Sequence, residues 1–356
     1  MRFAKSNVRR SVIAAIMFGA LRIAGAQGTS PLLIGDVVGK DGGVPLGHAM
    51  VSVLGAERQT FTSDRGVFAF ASLGPGRYRI RVVHIGYTPV EVNVVVPADS
   101  APPRLRIELA RLSVQLATVR VVAKGTCTMP GRPNPDVDPD FAAIVAQVRM
   151  NAEQYQLLSD SFPFKYKVEQ LFSSMRRDSS LADPETETIE IRSNGHGWEY
   201  RMGDVIERTR DRGTVMHLPT LRDFASYEFL NNHCFRYAGL ESTRDGVMIR
   251  IGFDADVQIR NPDVSGSVLL DAKTYQIRRM ELDLTKIPPD QPQVTGVHVT
   301  TIFGELSPSI DVIQQIHGIT WLRHGLWGGT IATTEDQRSY AFQWMGSNPA
   351  HPGVQP

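Results

Sequence analysis

Residues 35–96 read GDVVGKDGGVPLGHAMVSVLGAERQTFTSDRGVFAFASLGPGRYRIRVVHIGYTPVEVNVVV. Short runs of alternating apolar residues are separated by turns containing Gly, Pro, Asp or Ser at nearly even spacing. This rhythm is typical of a small antiparallel β-sandwich, because alternate side chains of each strand face the core. The predicted strands lie near Leu33–Val38, Ala49–Val53, Thr60–Ser63, Val67–Ser72, Gly76–His84, Val90–Val96 and Arg104–Leu109.

The length and composition are those of a globular protein. The 356 residues leave room for two domains, and 42% hydrophobic with 21% charged residues suffices to bury a core. Residues 1–26 hold five basic and no acidic side chains, so the remainder has 33 basic and 37 acidic residues and a net charge of −4. This balance argues against a nucleic-acid partner, because such proteins present a basic patch or stripe.

The N-terminus has the three parts of a secretory signal. Basic residues are concentrated in the first ten positions, Ser11–Ala20 is apolar, and Ala24–Ala26 is a small-residue cleavage site. An uncleaved anchor is the alternative, but the apolar run is short and Arg22 interrupts its end. We therefore expect a signal peptide at residues 1–26 and export to the periplasm or to an outer-membrane-associated site. No transmembrane helix is expected after cleavage.

Cys127 and Cys234 are the two cysteines of the chain. In an exported protein an even pair predicts a disulfide, here one that joins residues 107 positions apart. Two free thiols or a metal-binding pair are the alternatives. Two ligands do not complete a four-coordinate zinc site, so we expect the disulfide and no cofactor.

Several short motifs occur together in residues 31–110. They are Gly35-x-Val37, Pro45-Leu46, Ala49-x-Val51-x-Val53, Thr62-Ser63-Asp64, Gly66-x-Phe68, Leu73-x-Pro75-Gly76-x-Tyr78 and Gly86-Tyr87. In combination they resemble the carboxypeptidase regulatory-like domain, a transthyretin-like β-sandwich. In that family the module is non-catalytic, and it accompanies metallocarboxypeptidase domains or stands at the N-terminus of bacterial outer-membrane receptors. The resemblance implies an interaction module, and the likeness of its shape to carbohydrate-binding folds is analogy.

Residues 111–138 are predicted to form an apolar strand, Leu112–Val122, and a linker rich in Gly and Pro that separates two domains. A helix is predicted for Pro139–Ser159, because Asp138 can cap it and Pro139 suits its first position. Its apolar stripe fits either a helix packed on a sheet or a partner-binding helix, and we expect packing because such stripes usually face a core. The stripe contains Phe141, Ile144, Val145, Val148, Ala152, Tyr155 and Leu158.

The rest of residues 139–346 is predicted to be mainly strands, with a short helical stretch at Leu218–Asn231. Alternation is clear in Val247–Phe253 and Val297–Phe303, as in an antiparallel sheet with one polar face. The predicted fold is mostly β: an N-terminal antiparallel β-sandwich and a C-terminal antiparallel β-sheet domain with a packed α-helix. Gly266–Leu284 resembles a strand–turn–strand unit of LolA-like periplasmic half-barrels. The predicted strands are Phe164–Ser174, Thr188–Ser193, Trp198–Met202, Val205–Thr209, Phe235–Leu240, Val247–Asp254, Ser265–Asp271, Gln276–Leu284, Gly296–Leu306, Ile310–Trp321 and Thr330–Trp344.

One spacing invites a catalytic interpretation. His196 and Glu199 have the His-x-x-Glu spacing of a metallocarboxypeptidase zinc site, and His298, His317 and His324 follow downstream. If Trp198–Met202 is a strand, side chains three positions apart point to opposite faces. The large α/β catalytic unit of those enzymes does not fit a chain of antiparallel strands. We therefore predict neither a metal site nor catalytic residues.

Other polar residues have structural interpretations. Asp254 and Asp256 lack the EF-hand pattern of a calcium loop, and Asp64 is expected to form a turn. Cys234, which follows His233, is expected to be part of a structural crosslink and not to act as a nucleophile. The sequence contains no zincin motif, nucleophile elbow or phosphate loop. Five aromatic residues either belong to the core or line a groove for sugar or lipid: Trp198, Tyr200, Trp321, Trp327 and Trp344.

The functional prediction is a non-enzymatic, exported envelope protein that binds or scaffolds an envelope protein or a glycan through the sandwich. One alternative is a carbohydrate or lipid ligand on the C-terminal sheet. Another is a hydrolase, including a degenerate metallocarboxypeptidase. A wide apolar concavity beside the C-terminal sheet would favour the lipid alternative.

Overall fold

The computed structural model describes residues 33–114, 126–173, 183–307, 310–324 and 329–349, except 57, 72, 99–101, 103, 196, 210–213 and 348. The predicted signal peptide lies outside the described residues, as does most of the predicted strand Leu112–Val122. No helix in the described ranges is long and apolar enough to cross a membrane.

Two small sheets face each other at the N-terminus. Their orders are β4-β1-β7 and β3-β2-β5-β6. Neighbouring strands are antiparallel except β1 and β7, which are parallel. Phe68, Phe70 and Ile80 are among the buried residues between the sheets, which we call the sandwich. Its strands are β1 Leu33–Gly39, β2 Met50–Leu54, β3 Arg58–Phe61, β4 Val67–Phe70, β5 Gly76–Val83, β6 Val90–Val96 and β7 Leu105–Leu109.

The turn before β4 depends on a glycine. Gly66 has φ +75°, and a Cβ there would lie 2.5 Å from the carbonyl oxygen of Val37. The Gly66 N–H donates to the carbonyl oxygen of Ser63 at 2.8 Å, which closes the turn. Asp64 lies within it, 3.5 Å from His48 Nε2, consistent with the predicted turn-forming role.

Helix α1, Pro139–Ser161, begins as predicted. The Asp138 carboxylate accepts a hydrogen bond from the Phe141 N–H at 2.9 Å, and Pro139 occupies the first turn. Ile144, Val148 and Leu158 are buried against the large sheet described next. The sheet-packing interpretation of the apolar stripe is therefore correct.

The large sheet contains nine strands in the described part of the chain, in the order β12-β13-β14-β15-β16-β17-β18-β8-β9, with antiparallel neighbours. The predicted mostly β fold with a packed helix is confirmed. The strands are β8 Phe164–Phe172, β9 Glu185–Arg192, β12 His233–Thr243, β13 Gly246–Ala255, β14 Val264–Asp271, β15 Ile277–Leu284, β16 Val294–Ser307, β17 Ile310–His324 and β18 Gly329–Trp344.

The segment between β9 and β12 differs from the prediction. Trp198–Met202 is not a strand, because it has no neighbouring strand to pair with. A hairpin of β10, Ile206–Arg208, and β11, Thr214–Met216, follows it. The predicted helical stretch is divided into a 3₁₀ turn at Asp223–Ala225 and helix α2, Tyr227–Asn232. Ser226 separates the two in an extended conformation and caps α2 through the Phe229 N–H.

The sandwich and the large sheet share part of one core. Met50, Phe61, Val83 and Ile85 of the sandwich pack in the same buried cluster as α1. The Phe61 ring stacks on that of Phe162 at a centroid distance of 5.8 Å. The core thus continues across the predicted boundary at residues 111–138, and the division into independent domains stays a prediction.

Cys127 and Cys234 form a disulfide in the structure, with their Cα atoms 5.5 Å apart. It attaches the segment before α1 to the start of β12. The Val257 N–H donates to the Cys127 carbonyl oxygen at 3.0 Å, and the Gly131 N–H donates to the carbonyl oxygen of His233 at 2.9 Å. Whether the bond forms in the exported protein stays a prediction.

Candidate functional site

A cavity of about 740 Å³ lies between the β10–β11 hairpin and the large sheet. We call it the first cavity. Its apolar lining consists of Phe172, Ile206, Val215, Met216, Leu218, Leu284, Pro288, Val294, Val297, Val299 and Ile316. The rest consists of Gln170, Ser173, Thr214, Gln291, Gly318, Thr320, Thr333, Thr334, Glu335 and Gln337. Its volume is within the range of small-molecule sites, about 300–1,000 Å³.

Strand alternation explains most of the cavity floor. Val297 pairs with Thr320 and Val299 with Gly318 across β16 and β17, so all four face the same side of the sheet. Gly318 pairs in turn with Glu335 of β18. On β17 every second residue, Ile316, Gly318 and Thr320, faces the floor, which is apolar on β16 and more polar towards β18.

Gly318 leaves space in the middle of the floor. A Cβ at this position would meet Glu335 no closer than 3.7 Å and Val299 at 4.0 Å, which are ordinary contact distances. Its φ lies outside the left-handed region, so the backbone does not require glycine there. A glycine inside a strand often marks close approach of a ligand. The missing side chain enlarges the cavity.

The polar side chains of the first cavity are mostly uncharged. Glu335 is the sole ionisable side chain among the described lining residues, and the Gln337 amide donates to its carboxylate at 2.7 Å. Ser173 and Thr334 bond each other, with the Thr334 N–H donating to Ser173 Oγ at 2.9 Å.

A second cavity of about 550 Å³ adjoins the first and shares Ile206 and Pro288 with it. Trp198 contributes to its lining and stacks on the His217 ring at 5.1 Å between centroids, nearly parallel. Of the five predicted aromatic residues, Trp198 is the one found in the lining of these two cavities, within the part of the chain that the structure describes.

The other predicted aromatics do not line these cavities. Tyr200 is buried, and its hydroxyl donates to Asp263 at 2.9 Å; burial raises the pKa of Tyr200. Trp321 follows Thr320 on the strand, so it faces the opposite side of the sheet. The Trp344 ring packs on Phe164 at 5.6 Å between centroids. Trp327 lies outside the described residues.

The candidate zinc ligands are not brought together as far as the structure describes them. His298 Nδ1 lies 2.8 Å from Asp283, and His317 Nδ1 lies 2.5 Å from Asp336, on the sheet face opposite the first cavity. No cluster of three or more metal-binding side chains occurs within the described ranges. His196 and the His324 side chain lie outside them.

The strand argument against the His-x-x-Glu motif was wrong. Glu199 is exposed and lies in the irregular segment that had been predicted as a strand. Because the segment is not a strand, the alternation of strand faces does not apply to Glu199 and position 196.

Asp254 and Asp256 both have structural partners. Asp254 forms an ion pair with Arg236 across β12 and β13. Asp256 accepts the Gln258 N–H at 2.9 Å in a turn.

His233 is buried between two backbone carbonyl groups. Its ring nitrogens lie 2.9 Å from the Phe229 oxygen and 3.0 Å from the Val264 oxygen. Burial lowers the pKa of His233, although the Asp263 carboxylate 3.8 Å away opposes this effect. His233 therefore positions the backbone before Cys234.

Residues 33–110 match the family model of the carboxypeptidase regulatory-like domain, which confirms the predicted resemblance of the sandwich. The match includes none of the large sheet. No curated protein sequence matches the chain.

Solved structures similar to the chain include three bacterial proteins. A DUF1329 family protein from Desulfovibrio piger has 8% identity, with 58% of this chain and 96% of that chain covered and a TM-score of 0.33. A putative outer membrane lipoprotein-sorting protein domain from Vibrio parahaemolyticus has 9% identity, 59% and 97% coverage and a TM-score of 0.33. A LolA superfamily protein from Nitrosomonas europaea has 9% identity, 58% and 96% coverage and a TM-score of 0.30. The last agrees with the resemblance predicted for Gly266–Leu284, and such low scores assign no ligand to this chain.

The sequence did not predict a role for Gly318 or for three polar residues of α1. Gly318 interrupts a strand pattern, and that signal was available in the sequence. Gln147, Asn151 and Gln154 follow one another at intervals of four and three on α1 and are buried. Polar residues at helical spacing normally indicate a face of the helix that is exposed to solvent. The sequence of α1 contains no sign that the sandwich covers part of this polar face.

Proposed function

We propose that this protein is a non-enzymatic binding protein of the bacterial cell envelope that holds the acyl chain of an amphiphilic ligand in the first cavity. The single observation that carries the proposal is the cavity itself, whose floor is apolar on β16 and is widened by Gly318 on β17. Burying an alkyl chain there is favourable, because each Å² of apolar surface removed from water contributes about 25 cal/mol of free energy. The apolar residues of β16, Val297 and Val299, form the side of the floor suited to the chain.

Within this proposal the sandwich is a scaffold. Phe61 and Ile85 pack in the core that contains α1, and α1 supports the large sheet. The sandwich loops that do not contact α1 remain available to an envelope partner. The proposed site of action is the periplasm or the outer-membrane surface, which rests on the signal peptide predicted at residues 1–26. A mature chain beginning at Gln27, measured by the mass of the exported protein, would support it.

Binding can be tested with the methyl ester of cis-parinaric acid, an uncharged probe whose fluorescence rises in an apolar site. We expect saturable binding to the exported protein, and Gly318→Phe should weaken it at least about tenfold because the ring fills the cavity. Ile319→Phe is the matched control, since the next residue of β17 points to the other face. Wild-type affinity in Gly318→Phe, or no saturable binding by the wild type, would disprove the proposal.

A further inference from the structure

The second cavity adjoins the first at β10, and all three residues of that strand line it. It is lined by Trp198, Asp204, Glu207, His217 and Asn261, among other residues. Because the two cavities share Ile206 and Pro288, they are direct neighbours, and a ligand whose chain occupies the first has its polar end next to the second. Such an end must suit the charges and ring surfaces found there.

The charges of the second cavity disfavour an anionic group. Asp204, Glu207 and Arg208 are its charged lining residues within the described part of the chain. The Arg208 guanidinium lies 2.9 Å from the Asp290 carboxylate, so a third carboxylate opposes its positive charge. A phosphate would therefore meet the carboxylates of Asp204 and Glu207 and a single cation that is already paired, and like charges repel.

The same groups suit hydroxyl donors. The Glu207 carboxylate lies 2.6 Å from His217 Nε2 and retains further acceptor positions, because an ionised carboxylate has about four lone-pair sites. The exposed Asp204 carboxylate adds acceptors, and the exposed Asn261 amide adds both donors and acceptors. His217 stacks on Trp198 with an angle of 7° between the rings. The outer faces of this ring pair are the aromatic surface of the cavity wall.

We propose that the second cavity is a headgroup subsite for a hydroxyl-rich, non-anionic group, that is, a sugar attached to the chain held in the first cavity. This inference rests on the proposed function, and it names the ligand class as a glycolipid rather than a phospholipid. Ring stacking and carboxylate acceptors supply the selectivity.

The test uses three probes with the same alkyl chain, 1-decanol, decyl maltoside and decyl phosphate, below their micelle concentrations. Calorimetry on the exported protein should show the maltoside binding about tenfold tighter than decanol, which corresponds to one or two additional hydrogen bonds. Decyl phosphate should bind more weakly than decanol. Decyl phosphate binding as tightly as the maltoside, or the maltoside no tighter than decanol, would overturn the subsite while leaving the chain site intact.

Two variants test whether the second cavity contributes to maltoside binding without altering the fold. Trp198→Ala and, independently, the surface change Glu207→Gln should each bring maltoside affinity towards that of decanol and leave decanol affinity within about twofold. Equal weakening of both probes in Glu207→Gln would overturn the subsite. Failure of all three probes to bind the wild type would disprove the chain site as well.

Discussion

The side-chain oxygen of Gln147 on α1 accepts a hydrogen bond from the Gly86 N–H of the sandwich at 2.8 Å, and both residues are buried. Gly86 belongs to the Gly86-Tyr87 motif through which the sandwich resembles its family. A Cβ at Gly86 would lie 3.0 Å from the Thr274 carbonyl oxygen of the large-sheet domain. The motif is therefore part of the contact between the sandwich and the large sheet.

Loss of the Gln147 acceptor should destabilise the whole protein. Gln147→Leu leaves the buried Gly86 N–H without its partner, and we expect a loss of about 1–3 kcal/mol in the free energy of unfolding. Gln156→Leu is the control, since Gln156 is exposed on the same helix. Urea unfolding measures both, and equal stability of the two variants would show that this bond contributes nothing.

The shared core predicts that the sandwich and the large sheet unfold together. All four tryptophans lie after residue 190, so tryptophan fluorescence reports on the C-terminal part alone. Phe70→Ala removes a fully buried ring from the sandwich core and should cost about 3–5 kcal/mol. We expect the fluorescence midpoint in urea to fall together with the circular-dichroism midpoint. An unchanged fluorescence midpoint would mean that the sandwich unfolds independently; Val95→Ala, at an exposed position, serves as the control.

The Cys127–Cys234 bond should contribute strongly to stability, because it joins residues separated by 107 positions. Chain entropy assigns about 4–5 kcal/mol to a loop of this length. The double variant Cys127→Ser/Cys234→Ser should lose a stability of this order, and reductant should lower wild-type stability to the same level. Electrophoresis with and without reductant detects the bond. Two titratable thiols in the native exported protein would contradict its formation.

Asp311 should make stability depend on pH. It is buried, Arg278 donates to it at 2.9 Å, and its other oxygen has no hydrogen-bond partner among the described residues. Burial raises the pKa of Asp311 from 3.8 to about 7, partly offset by Arg278 and reinforced by Glu305 and Asp271. The folded state then binds a proton that the unfolded state releases between these two pH values.

The contribution of Asp311 is therefore complete below about pH 4 and is lost as the pH rises towards 7. The slope is at most about 1.4 kcal/mol per pH unit. Asp311→Asn should flatten this part of the stability curve, measured by urea unfolding across the range. Asp136→Asn, at an exposed position, should leave it unchanged. A wild-type stability that rises steadily from pH 4 to pH 7, with no difference in Asp311→Asn, would refute the assignment.

Local patterns predicted most strands and the start of α1 because each depends on neighbours in the chain. Alternation such as that of Val297–Phe303 marks a half-buried strand wherever it lies, and Asp138 caps its helix through a residue three positions later. The prediction failed at Trp198–Met202, where alternation occurs without a strand to pair with. It also did not find β11, whose three residues are too few for a period to be visible.

The sequence by itself determined the sandwich, the mostly β character of the remainder, the signal-like N-terminus and the absence of common catalytic motifs. These features follow from side-chain alternation, turn chemistry and composition, all of which act over short distances along the chain. Tertiary structure alone decided that β18 pairs with β8, that α1 uses Gln147 to hold the sandwich, and that Gly318 lies beneath the β10–β11 hairpin. Each of these depends on contacts between residues far apart in the chain, which no local pattern encodes.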